Sequence, residues 1–193
     1  CSSSEHAAAP GRAAQEGDAG SVALPELGAN PMRRLTNFEY RNTLTDLLGS
    51  PALVQAATAP LLNEPESAGF RNDAEMLRIS PLLAQTYLDV AMRLSQSVPD
   101  IPGLVPCDVD TVTETATCAR TFVDQFGLRV YRRPLDADEV KAYADLYARA
   151  IVETGSFRSA IEWLSTAMLT STPFLFRVEV APRDVPVESI SGY

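Results

Sequence analysis

Helix punctuation is the feature that most constrains this chain. Thr36, Ser50, Ser80, Asp136 and Ser156 each stand just ahead of an apolar repeat of helical period. Thr36 and Glu39 have the spacing of a capping box, in which each side chain satisfies a backbone N–H of the other. Asp136 and Glu139 repeat it. Ser50 and Ser80 are each followed by proline, whose missing N–H would be unpaired at the first helical position anyway. The first predicted helix runs from Thr36 to Gly49, with Phe38, Leu44, Leu47 and Leu48 on its apolar face. A short second one runs from Pro51 toward Thr58, and Pro60 to Asn72 reads as a loop. A third starts at Pro81, carries Leu82, Leu83, Tyr87, Val90, Ala91 and Leu94, and ends before Pro99. A fourth covers Thr113 to Arg129, with Cys118, Phe122 and Phe126 inward. A fifth follows Asp136, with Val140, Tyr143, Leu146, Tyr147 and Ile151. A sixth opens at Ser156, carries Ile161, Leu164, Met168 and Leu169, and is stopped by Pro173. No convincing strand alternation appears, although Phe174–Val180 and Val185–Ile190 are short enough to be extended. The fold class is all-α, an irregular bundle of five or six helices.

Residues 1–31 belong to something else. Nineteen of them are Ala, Gly, Ser or Pro, and the only larger apolar side chains are Val22, Leu24 and Leu27. Such a segment buries too little surface to offset its ordering entropy and is expected to be a disordered tether. As a coil it would span roughly 30 Å. The organisation expected is therefore a tether over 1–31, a first helical module over 32–100, a second over 101–180 packed on it, and a linker or further domain from 181 to 193.

Composition removes several chemistries. The sole histidine, His6, lies in the tether, so a Ser-His-Asp triad, a His-ligated zinc and a Cys-x-x-Cys-His haem site are excluded for the folded part acting alone. A net charge of −9 argues against nucleic acid as a partner. No run of about 18 apolar residues offers a membrane span.

Cys1 followed by Ser2, Ser3 and Ser4 looks like the start of a mature bacterial lipoprotein, with the acyl chains on Cys1 anchoring it. A chain that merely begins at a cysteine is the alternative. Ser2 in place of Asp resembles the pattern that sends a lipoprotein to the outer membrane. Cys107 and Cys118 lack Cys-x-x-Cys spacing. In an exported chain they read as a disulfide, with two buried free thiols as the other possibility.

Arg33, Arg34, Arg71, Arg129, Arg132 and Arg133 lie in segments rich in mixed polar and aromatic residues. They form a candidate anion- or partner-binding cluster. The competing role is pairing with Glu39, Asp46, Asp124, Asp136 and Glu179 across helix junctions, which guanidinium forks suit well. No catalytic residue and no metal ligand can be picked out.

Two stretches have a recognisable wording. Arg33-Arg34-Leu35-Thr36-Asn37-Phe38-Glu39-Tyr40-Arg41-Asn42, continuing to Gly49, resembles the opening of the exported, multidomain PSD-domain proteins of planctomycete and myxobacterial type. Cys118-Ala119-Arg120-Thr121-Phe122, then Phe126 to Leu135 and Leu169 to Glu179, is similar to the second domain of that group. The resemblance covers most of residues 32–180. It implies export to the cell envelope and a further helical domain beyond this chain. It carries no catalytic residue. This chain would hold no cofactor, and a haem c would sit in a missing C-terminal part or in a partner chain. The expected function is a lipid-anchored envelope module that assembles the rest of its own chain or other envelope proteins into a larger complex. The rival readings are the N-terminal part of a cytochrome-linked periplasmic oxidoreductase and a plain structural subunit of a surface complex.

Overall fold

Thr36 does what its spacing predicts. In the computed structural model its hydroxyl accepts from the Glu39 N–H, and Glu39 Oε2 accepts from the Thr36 N–H at 2.8 Å. The structure describes residues 32–64 and 77–177. The tether, Cys1, Arg71, Glu179, the segment Val185–Ile190 and the linker lie outside them. All described residues belong to one compact unit, Pro31–Tyr193.

The elements run in order as β1 (Arg33–Arg34), α1 (Asn37–Leu48), α2 (Pro51–Thr58), α3 (Pro81–Ser95), α4 (Thr115–Tyr131), α5 (Ala137–Thr154), α6 (Phe157–Leu169), α7 (Thr172–Leu175) and β2 (Phe176–Arg177). The fold is all-α apart from the two-residue strands. Ser80 and Ser156 cap their helices through side-chain oxygens, and Asp136 with Glu139 forms the second capping box. Gly49 and Gly155 end α1 and α5 at φ 67° and 64°, a left-handed turn that glycine adopts without steric cost.

Some expectations fail for physical reasons. Phe38 is 73% exposed, whereas Tyr40 is fully buried. With Leu44, Leu47 and Leu48, Tyr40 defines one stripe at 100° per residue, and Phe38 falls on the opposite side. Leu82 points outward in the same way. Pro173 does not stop α6, which ends at Leu169; it sits in the first turn of α7, where Pro is favoured. α4 begins at Thr115 with no side-chain cap.

Of two short strands, β1 escaped the sequence pattern, whereas β2 falls within Phe174–Val180, the segment read as able to be extended. Arg33 pairs with Arg177 and Arg34 with Phe176, antiparallel. The Leu35 N–H then donates to the Leu175 carbonyl at 2.8 Å. This seam joins the two ends of the described chain. α6 is the central helix and packs against α3, α4 and α5. One continuous core runs through all of them, from Leu35 and Tyr40 through Phe122 and Phe126 to Leu164, Met168 and Phe174. Leu135 folds back over Gly127, where any Cβ would overlap its methyls.

Cys107 and Cys118 are bonded, with Cα atoms 6.2 Å apart. The bridge pins the loop before α4 to its first turn. Closing so short a loop removes unfolded-state entropy worth roughly 2–3 kcal/mol. The Cys107→Ser/Cys118→Ser variant is expected to lose about that much in urea unfolding. A loss below about 0.5 kcal/mol would show that the bridge adds nothing to stability.

Candidate functional site

Of the candidate arginines, most are consumed by the fold. Arg34 is 3% exposed and donates to the Leu77 and Leu35 carbonyls, to the Tyr87 hydroxyl and to Glu64 Oε1. Arg129 reaches the C-terminal end of α1, donating to the Asp46 and Leu47 carbonyls at 3.2 and 2.6 Å. Those carbonyls have no helical partner, so a cation is favourable there. Arg33 forks onto both oxygens of Glu39, and Arg133 onto both of Glu139. Of the carboxylates named as partners, Glu39 serves Arg33, Asp46 offers only its carbonyl, and Asp124 pairs with Arg120 instead. Asp136 gives way to Glu139, three residues on, and Glu64 was not foreseen.

Arg33 and Arg133 occupy the same place in two copies of one device. Each lies three residues before an N-cap and clamps the capping-box glutamate. The signal stands in the sequence as Arg33-x-Leu35-x-x-x-Glu39 and Arg133-x-Leu135-x-x-x-Glu139. It does not show as a fixed-period repeat because it occurs only twice.

The clamp sets a pH dependence. The bidentate Arg33 fork, with Thr36 N–H and hydroxyl, holds the Glu39 carboxyl down at about 2 against an ordinary 4.5. A carboxyl depressed in the folded state contributes stability that is complete above its unfolded value and lost as pH falls. The stability gap between the wild type and Glu39→Gln is therefore expected to be full at pH 5–6, where both states are ionised. It should shrink as pH falls from about 4.5 toward 2. A gap that does not change over that window, measured by urea unfolding, would disprove the clamp.

Arg132 is different. It ends α4 at φ 59°, a left-handed conformation unusual for a residue with a Cβ. Its guanidinium lies over the Phe174 ring, 6.0 Å from the centroid. Its Nη2 is buried and meets no acceptor among the described residues. Burial lowers its pKa, Arg177 lowers it further, and Glu39 opposes both. Arg177 is exposed and stands opposite Arg33 in the strand register. Among the described residues, Arg132 thus feels Arg177, the strand partner of Arg33, and one carboxylate, Glu39, that Arg33 already engages. Of the six arginines named from sequence, Arg33 and Arg132 meet here; Arg34, Arg129 and Arg133 are directed elsewhere. Arg177 was overlooked because it sits outside both arginine-rich segments.

A second place also holds polar groups beyond the needs of packing. Thr36, Asn37, Phe38, Arg41, Asn63 and Glu64 line a cleft of about 670 Å³ beside the first turn of α1. Among the described residues there is no group of three or more His, Cys, Asp or Glu that could hold a metal ion. No helix among them is long and apolar enough to cross a membrane.

The fold and the seam define an all-helical, disulfide-bonded protein whose two halves share one core. Residues 33–99 match the family model PSD3, a protein of unknown function (DUF1587), and residues 118–179 match PSD5, a protein of unknown function (DUF1595). The chain thus contains PSD-type domains of unknown function, over the two stretches whose motifs imply them. No curated protein and no solved structure matches it.

Proposed function

We propose that this chain is a binding and assembly module of the cell envelope, lipid-anchored through Cys1, that holds an acidic segment of a larger partner at the seam. The observation that carries the reading is the Arg132 guanidinium, half-buried over Phe174 with an N–H that no acceptor among the described residues meets. Leaving a buried donor unpaired costs about 1–3 kcal/mol, and more when it is charged. An incoming carboxylate would recover that cost and relieve the repulsion between Arg132 and Arg177. The Cys107–Cys118 bridge supports an oxidising compartment, and a segment after Cys1 rich in Ala, Gly, Ser and Pro and poor in larger apolar side chains suits a tether to a membrane.

The test uses the full chain and a hexaglutamate peptide as a stand-in for an acidic partner. Saturable binding that weakens with salt, and is lost in Arg132→Asn/Arg177→Gln, is the expected result. Asn is chosen at 132 because it tolerates the left-handed backbone. Absence of binding, or binding unaffected by the double substitution, refutes the seam as the docking site. Mass spectrometry of the N-terminal peptide from native cells tests the anchor separately. An unmodified Cys1 removes the lipid from the reading.

A further inference from the structure

We propose that the cleft beside the first turn of α1 binds a neutral glycan, taking one pyranose ring against Phe38. The argument starts from what the fold leaves over. In the stretch Arg33 to Asn42, Arg33, Arg34, Leu35, Thr36, Glu39 and Tyr40 are accounted for by the seam, the cap and the core. Asn37, Phe38, Arg41 and the exposed Asn42 are not, and the first three of these line the cleft.

Asn37 is only 8% exposed. Its Nδ2 donates to the Leu62 carbonyl at 2.7 Å, which fixes the amide's orientation. Its Oδ1 is then left buried with no donor among the described residues. Among the described residues, Glu64 accepts with Oε1 alone, from Arg34 and from the Asn37 N–H at 2.8 Å. Arg41 donates with Nε and Nη2 to Thr58 at the end of α2. Asn63 adds a further amide to the lining. Phe38, 73% exposed, supplies an apolar platform, and Leu62 beside it is 60% exposed.

Charge selects the ligand class. The Glu64 carboxylate and the Asn37 oxygen disfavour an anion. Arg41, with Arg34 behind Glu64, disfavours a cation. A neutral group must therefore both donate, to Asn37, and accept, from Arg41 or Asn63. A hydroxyl does both through one atom. Several hydroxyls on a ring whose C–H face is apolar match the mixture of planar polar side chains and one exposed aromatic ring. A peptide would need a free strand edge or an apolar groove, and the cleft is instead formed by a helix start and the loop 61–64. Neither Arg132 nor Arg177 lines it, so this site and the seam can fail independently.

The experiment is an amide-shift titration of the full chain with cellobiose, maltose and N,N′-diacetylchitobiose at millimolar concentration. Sorbitol serves as a ringless polyol and N-acetylalanine amide as a peptide mimic. The expected result is saturable shifts at Asn37, Phe38, Asn63 and Glu64, including the Asn37 side-chain amide, with at least one disaccharide. Sorbitol and the peptide mimic should leave those signals unmoved. Phe38→Ala, at an exposed position, should keep the fold and weaken binding roughly tenfold, the scale of one aromatic contact. Asn63→Ala should weaken it as well. The proposal is overturned if no disaccharide shifts these amides, if the peptide mimic or sorbitol binds as well, or if Phe38→Ala binds like the wild type.

Discussion

Replacing Arg34 by methionine is expected to cost about 3–5 kcal/mol of unfolding free energy, the scale of an uncompensated buried charge. Arg34 is 3% exposed, and its partner Glu64 has a side chain only 8% exposed. Together they tie four pieces of chain. Arg34 belongs to β1 and bonds the Leu77 carbonyl ahead of α3 and the Tyr87 hydroxyl within it. Glu64, in the loop after α2, accepts from Arg34 at 2.9 Å and from the first N–H of α1 at 2.8 Å. Methionine fills the space of the arginine stem but leaves Glu64 charged and dry. Adding Glu64→Gln removes that charge and keeps an oxygen for the Asn37 N–H. Arg34→Met/Glu64→Gln is therefore expected to recover more than half of the loss. In urea unfolding both effects should appear as midpoint shifts with little change in slope. If Arg34→Met costs less than about 1 kcal/mol, the pair behaves as a surface ion pair and the junction is held by packing alone.

The same pair shows where the sequence stops being legible. Helix starts could be read because a cap is local: Thr36 with Glu39, or Asp136 with Glu139, is decided within four residues. Which arginine meets which carboxylate is not local. Arg34 finds Glu64 thirty positions away, and Arg129 finds α1 carbonyls more than eighty away. The arginines advertised polar work without revealing that most of it is structural. β1 left no trace, because an alternating pattern needs more than two residues to show, and β2 was visible only as part of Phe174–Val180, a segment able to be extended. Phe38 stands off the apolar stripe for a reason that is itself local. Once Tyr40 is placed on the core stripe with Leu44 and Leu47, Phe38 lies on the far face.

The seam site was legible only in half. Arg132 was within the arginine-rich stretch, but its left-handed backbone and its orphaned N–H depend on where α4 ends against Phe174. The cleft was hidden further. Asn37 and Arg41 are polar residues in the first turns of a helix, a placement that by itself signals nothing. Their convergence with Asn63 and Glu64 depends on how α2 returns to α1.

Phe174→Ala is the second substitution expected to act strongly, at about 3–5 kcal/mol for a fully buried aromatic ring. Phe174 has no exposed surface and meets Tyr40 edge-on, with centroids 5.9 Å apart. It lies in α7, one residue before the carbonyl that receives the Leu35 N–H, so a cavity there loosens the seam itself. Phe174→Leu keeps most of the apolar volume and is expected to cost less, within about 2 kcal/mol. It still removes the ring beneath Arg132. The two variants therefore separate packing from recognition. If the ring only fills space, Phe174→Leu binds hexaglutamate like the wild type. If the ring positions the guanidinium, as the geometry at 6.0 Å implies, Phe174→Leu weakens that binding several-fold while remaining folded. The second outcome is expected, because among the described residues no carboxylate pairs with Arg132 and its Nη2 meets no acceptor, which leaves the Phe174 ring to fix its fork.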